Sequence, residues 1–220
     1  MTDLEKAYFD KLYERSKVDE LVKSRAAAEY LIGLLTPAVK TSQGINGNLF
    51  CKMLSTLTGI SVANAAKNIS SNASSEIPRS KIETKAGIFW MGDDINQILF
   101  GNKYSVWNIV MSGYSEKKGK DAIPDLGLMI ESNAKNIGNP EIKLWGGMAS
   151  PYSDFDAAKN TYLGIISKLE PYKLSQEEYP QAFAFALMDV IMKVEATFPK
   201  DLNCAKIAIE YVMFTSHMDV

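Results

Sequence analysis

The feature that most constrains this chain is the spacing of its apolar residues, which recur in steps of three and four between prolines and glycines. Phe183, Leu187, Val190, Ile191, Val194 and Phe198 form the strongest stripe, and Pro199 closes it. A helix turns once every ~3.6 residues, so such a stripe falls on one face and has to be buried against another element. Leu4, Tyr8 and Leu12, with Phe9 and Tyr13 alongside, repeat the pattern. Val18, Leu21, Val22, Ala28, Leu31, Ile32 and Leu35 repeat it again. The spacing predicts an all-α (mainly α) fold, a globular bundle of roughly eight to ten helices.

Local signals set the expected boundaries. Ser16 with Asp19 resembles a capping box, and Thr36-Pro37 ends the helix near Leu35. Gln43 to Gly47 reads as a turn, followed by a helix from Leu49 to Thr58 with Gly59 in the left-handed closing position. Ser61 then caps a second short helix, 62–69. Ser70 to Ser75 is the most loop-like stretch. Residues 82–91 are the one short β-hairpin or extended segment, with Ile82, Thr84, Ala86, Ile88 and Trp90 on one parity. Asp93 or Asp94 caps a short helix closing at Gly101, and Ser105 opens another closing at Gly113. Pro124 suits the first turn of a helix that reaches Ile137. Trp145-Gly146-Gly147 is an irregular connection. Ser153 with Asp156, Ser175 with Glu178, and Asp201 start the last three helices.

At 220 residues and 46% apolar content, the chain can bury a substantial core. One compact domain over 1–220 is the primary reading, and packed subdomains 1–75 and 76–220 are the second. The N-terminus is charged and lacks an apolar signal core, and no apolar run approaches the ~20 residues of a bilayer span. A soluble cytoplasmic chain without membrane contact is expected. Cys51 and Cys204 stand far apart in sequence, without metal or redox spacing, and read as buried thiols.

The chemistry is sparse. His217 is the single histidine, and it falls beyond the last periodic residues, in a tail expected to fray. The packed body should then contain no histidine. There is no nucleophile elbow, phosphate loop or dinucleotide fingerprint, and neither a cofactor nor a metal site is expected. Acid pairs at Asp93-Asp94, Asp154 and Asp156, and Glu177-Glu178 sit at predicted helix starts, where negative charge is favoured in any case. Asp189 is expected to pair with Lys193 one turn on. Trp90, Trp107 and Trp145 read as core.

One segment, 52–70, resembles a helix-turn-helix with its turn at Gly59. Its second helix would present Ser61, Asn64, Lys67 and Asn68 to nucleic acid. Thr58 and Asn68 stand where that motif requires apolar residues. The formal net charge of -2 offers no general attraction for phosphates. The favoured function is therefore a non-enzymatic protein-binding protein of the adaptor, inhibitor or immunity type. It would act through a patch of exposed aromatic and acidic residues. A DNA-binding regulator is the alternative, and a small-ligand-binding or enzymatic helical protein is the third.

Overall fold

Two helices, α1 (Asp3–Ser16) and α2 (Val22–Leu35), open the chain. The structure, a computed structural model, describes residues 2–72, 78–142, 155–195 and 203–220. Thr2 starts α1 with a capping box: its hydroxyl accepts from the Glu5 N–H, and the Glu5 carboxylate accepts from the Thr2 N–H at 2.6 Å. Ser16 and Asp19 form no capping box: Ser16 is the last residue of α1 and donates to the Tyr13 carbonyl at 2.8 Å, and Asp19 lies before α2. It accepts from the Leu21 N–H at 3.0 Å and pairs with Arg25 at 3.1 Å. Lys23, one turn after Asp19, instead reaches Glu178 at 2.8 Å. Pro37 turns the chain into a short 3₁₀ segment, Thr36–Val39. The expected turn follows as a two-rung hairpin, β1 (Lys40–Thr41) with β2 (Gly44–Ile45).

The next helix, α3 (Gly47–Asn72), departs from expectation. It runs unbroken through Gly59 and Ser61, where a turn between two shorter helices was predicted. A hairpin follows, β3 (Arg79–Thr84) with β4 (Gly87–Gly92), in the register Ile82↔Phe89. The predicted extended segment thus folds back on itself at Lys85-Ala86. Its buried residue is Phe89, of the opposite parity to Ile88 and Trp90, while Ile82 is exposed. The remaining helices are α4 (Asp93–Asn96), α5 (Val106–Lys118), α6 (Leu126–Asn136), α7 (Phe155–Leu169), α8 (Glu178–Val194) and α9 (Cys204–Ser216).

Their starts follow the sequence in part: Gly92, not Asp93 or Asp94, stands at the N-cap of α4, and Asp125, not Pro124, begins α6 by accepting from the Leu128 N–H at 3.0 Å. Ser105 caps α5 by accepting from the Asn108 N–H. Pro180 lies in the first turn of α8, where its missing N–H costs nothing. Glu178 accepts from the Ser175 N–H at 2.6 Å. Asn203 caps α9, accepting from the Lys206 N–H at 2.9 Å. Asp201, Ser153, Asp154, Phe198, Pro199 and Trp145-Gly146-Gly147 lie outside the described residues.

Helix α3 is the axis of the bundle. It packs most extensively on α8 and α9, while α2 and α5 cover other sides of α8. The predicted stripe Phe183, Leu187, Val190 and Ile191 is fully inside. Buried residues from Leu12 of α1 to Met218 beyond α9 form one contiguous apolar core. By length and apolar content, α3 alone among the described helices could cross a bilayer, but 78% of that stretch is buried against the other elements.

Two glycines expected to stop helices mark helix crossings instead. At Gly59 a Cβ would stand 1.9 Å from the Thr215 hydroxyl of α9 and 2.8 Å from the Val212 carbonyl. At Gly113, inside α5, it would stand 2.2 Å from the Met188 sulfur of α8. The bare backbone lets each pair of helices approach closely.

His217 corrects a second expectation. It is only 5% exposed, and its Nδ1 lies 2.7 Å from the Met213 carbonyl. The residues after α9 meet β4 in a single antiparallel bridge, Met218 opposite Phe89. The Trp90 N–H donates to the His217 carbonyl at 2.6 Å, and the Asp219 N–H to the Ile88 carbonyl at 3.1 Å. The packed body therefore does contain a histidine.

Candidate functional site

The sequence spends apolar residues on the outside of α1. Leu4 is 84% exposed and Tyr8 47%, while the inward side consists of Phe9, Leu12 and Tyr13. Leu4, Tyr8, Lys11 and Arg15 follow one another at steps of four, three and four, which places them in one row along the helix. Val18, just past the end of α1, is 90% exposed.

Tyr8, Lys11 and Arg15 of that row form one wall of a groove of about 410 Å³ between α1 and α2. Leu12, Val22 and Ala26 line its apolar part, with Tyr8, Lys11 and Arg15 from one helix and Asp19, Arg25 and Glu29 from the other. Arg25 is held in place, bonded to Asp19 and stacked 5.5 Å above the Phe185 ring of α8. Lys11 and Arg15 have no acidic partner within ion-pair distance among the described residues. Glu14, their acidic neighbour, is taken by Lys17 at 2.7 Å. The groove therefore offers an apolar base, an aromatic anchor and two cations of α1 without an ion-pair partner, facing the Glu29 carboxylate of α2.

An aromatic cluster fixes this wall to the body. Phe9 meets Tyr172 edge-on at 5.2 Å, and Tyr172 meets Tyr30 of α2 at 5.8 Å. The Tyr13 hydroxyl donates to the Pro171 carbonyl, and the Lys173 ammonium lies 4.5 Å above the Tyr13 ring. Burial, followed by the hydroxyls of Tyr8 and Tyr30, pushes the Tyr172 phenol up to about 12. It stays protonated at neutral pH and acts as packing rather than as a base.

The residues singled out in 52–70 are placed differently. Ser61 is wholly buried, close to the Tyr162 phenol, which burial pushes up to about 12. Asn64 donates to the Ile60 carbonyl at 3.0 Å, within its own helix. Lys67 donates to the Val220 carbonyl at 2.7 Å, and Asn68 to the Gln176 side chain at 3.0 Å. The structure brings Asn64, Lys67 and Asn68 together on the outer side of α3, without a projecting second helix, and turns Ser61 inward.

The acid pairs separate as well. Asp156 and Glu178 occupy first turns of helices, and Asp93 is exposed at the start of α4. Asp94 points inward against Arg79, 2.5 Å from its Nη2. Among the described residues, no three of His, Cys, Asp and Glu stand close enough to share a metal ion. Cys51 and Cys204 are buried free thiols. Burial raises both, with Cys204 adding to the shift at Cys51 and Glu195 to that at Cys204, which reaches about 12. Neither supplies a thiolate near neutral pH.

The groove was readable in part. The row Leu4, Tyr8, Lys11, Arg15 is visible in the sequence, yet Leu4 and Tyr8 share the spacing of Leu12 and look equally inward. Only the aromatic cluster around Tyr172 decides which side of α1 faces the body. No known protein family, curated protein or solved structure matches this chain.

Proposed function

We propose that this chain is a non-enzymatic protein-binding protein and that the α1–α2 groove receives an acidic amphipathic helix from its partner. The observation that carries the reading is the exposed row Leu4, Tyr8, Lys11 and Arg15 beside an apolar groove. Exposed apolar residues gathered beside a groove favour docking, and an aromatic flanked by arginine is the usual composition of an interface centre. A helix laid along the groove would bury its apolar stripe on Leu12, Val22 and Ala26. Aspartates or glutamates on its flanks would answer Lys11 and Arg15. The α1 side of the groove is aromatic and basic, where the sequence alone pointed to aromatic and acidic.

Selection from a displayed random-peptide library against the immobilised chain tests this. Enriched peptides should combine a helical apolar stripe with acidic flanks. Their affinity should weaken with salt and fall about tenfold in a Lys11→Glu/Arg15→Glu variant, since reversing two exposed charges turns two attractions of up to about 1 kcal/mol each into repulsions. Binders that are basic, or indifferent to that double change, would refute the groove as the recognition face.

A further inference from the structure

We infer that the open edge of β3 pairs with β3 of a second copy of this chain. The edge of β4 is occupied by the segment after α9, which bonds the backbone of Ile88 and Trp90. Glu83 and Lys81 lie opposite those two residues in the hairpin register. In an antiparallel pair, opposed residues turn their backbone groups either both toward each other or both away. The N–H and C=O groups of Lys81 and Glu83 therefore point away from β4, along the outer edge. No backbone hydrogen bond reaches them there among the described residues.

An edge with free backbone groups templates another strand unless charge or proline guards it. Pro78 and the charged side chains could serve as guards, yet Ile82 stands among them 40% exposed. The order of the charges selects the partner. In Ser80-Lys81-Ile82-Glu83-Thr84, opposite charges flank Ile82. A second copy related by a two-fold axis at Ile82 sets Lys81 of each copy opposite Glu83 of the other. These are the hydrogen-bonded pairs of the new ladder, because both residues already present their backbone groups outward. Ile82 of one copy covers Ile82 of the other at the axis, in the closer spacing between those pairs, and Ser80 meets Thr84. Lys81 and Glu83 of one copy pair with each other at 2.6 Å, so charges of alternating sign would line the joint. A shift by two residues either way is the next register of the same bonding parity. It would set Lys81 against Lys81, or Glu83 against Glu83. Beyond this core Arg79 faces Lys85 of the other copy, but Asp94 neutralises Arg79 and Lys85 lies in the hairpin turn. The strand has six residues, few beside the ~20–30 a side of a stable interface, so the dimer should be transient, with a Kd of about 0.1–1 mM.

This edge is separate from the α1–α2 groove, so the two readings fail separately. Sedimentation equilibrium of the full chain, taken up to about 1 mM, should show reversible monomer–dimer association. Over the same range, hydrogen exchange should slow at the Lys81 and Glu83 amides and stay constant at Ile82, whose N–H already faces β4. Lys81→Glu and Glu83→Lys should each weaken association about tenfold, because both cross-strand pairs become repulsive. An equimolar mixture of those two variants should associate as the unaltered chain does, since every pair across the joint is again of opposite sign. Lys81→Glu/Glu83→Lys in one chain should recover association for the same reason. Lys11→Glu/Arg15→Glu should leave it unchanged. A chain that stays monomeric at about 1 mM overturns the proposal and leaves the edge guarded or open to another protein's strand. An association indifferent to the single reversals, or lost in the groove variant, overturns it too.

Discussion

Asp94 shows how one buried charge is kept. Its side chain is 1% exposed and that of Arg79 17%. Burial alone would raise the carboxyl. The bonds from Arg79, from the Ser70 hydroxyl and from the Ile95 N–H outweigh it and hold the group below the usual aspartate range. With a folded pKa below the unfolded value of ~3.9, its contribution is complete above that pH and is lost as pH falls further. Asp94→Ala leaves Arg79 charged and largely desolvated, and should cost about 3 kcal/mol in urea unfolding. Arg79→Met/Asp94→Leu removes both charges and should recover most of that loss. A double variant no more stable than Asp94→Ala would show that the charge itself is not what matters at this position.

The helix crossings turn on two glycines, and they are not equivalent. At Gly59 an added methyl meets the Thr215 side chain and the Val212 carbonyl, part of the α9 backbone, at 2.8 Å. At Gly113 it meets only the flexible end of Met188. Gly59→Ala must move a helix, and overpacking of that kind costs about 1–3 kcal/mol. Gly113→Ala asks for a new methionine rotamer and gains helix propensity, worth up to ~1 kcal/mol. Parallel denaturation of the two variants should find Gly59→Ala clearly the less stable, and the reverse order would overturn this account of the α3–α9 crossing. The same glycines show where the sequence is legible. The stripe of α8 and the cap Ser105 act over one or two turns, and both were readable. A glycine that closes a helix and one that admits a neighbouring helix are the same letter. What separates them is Thr215 or Met188, far away in sequence. The groove shows the same limit, because Tyr8 and Leu12 share a spacing and only Tyr172 sorts them.

At the scale of the whole molecule, the hairpin, α3 and α9 are joined at His217. Its carbonyl accepts from Trp90, its Nδ1 contacts the Met213 carbonyl, and its Nε2 is buried without a hydrogen-bond partner among the described residues. A tail residue gave no sign of this, because its anchor is an edge strand well over a hundred residues earlier. Burial pushes the imidazole below its ordinary value, and the Met213 contact offsets only part of that. Below pH ~6.5 the unfolded chain takes up a proton that the folded chain refuses. Stability therefore falls with acidification from that point, by up to about 1.4 kcal/mol per pH unit, until the folded imidazole also titrates. Glu210 acts in the opposite sense: burial raises its carboxyl, Lys206 offsets this in part, and its contribution is lost as pH rises through that raised value. The absolute slope mixes the two groups, so the informative quantity is the difference between the wild type and His217→Gln. Urea unfolding on either side of pH ~6.5 should show a larger acid-side loss in the wild type than in the variant. Over the same step, the protection of the Trp90 and Asp219 amides, corrected for the intrinsic slowing of exchange in acid, should fall, because the bridged segment after α9 is what a charged His217 would displace. Equal losses in the two proteins would mean that the imidazole is reached by water and that the segment after α9 is held by its backbone bonds alone.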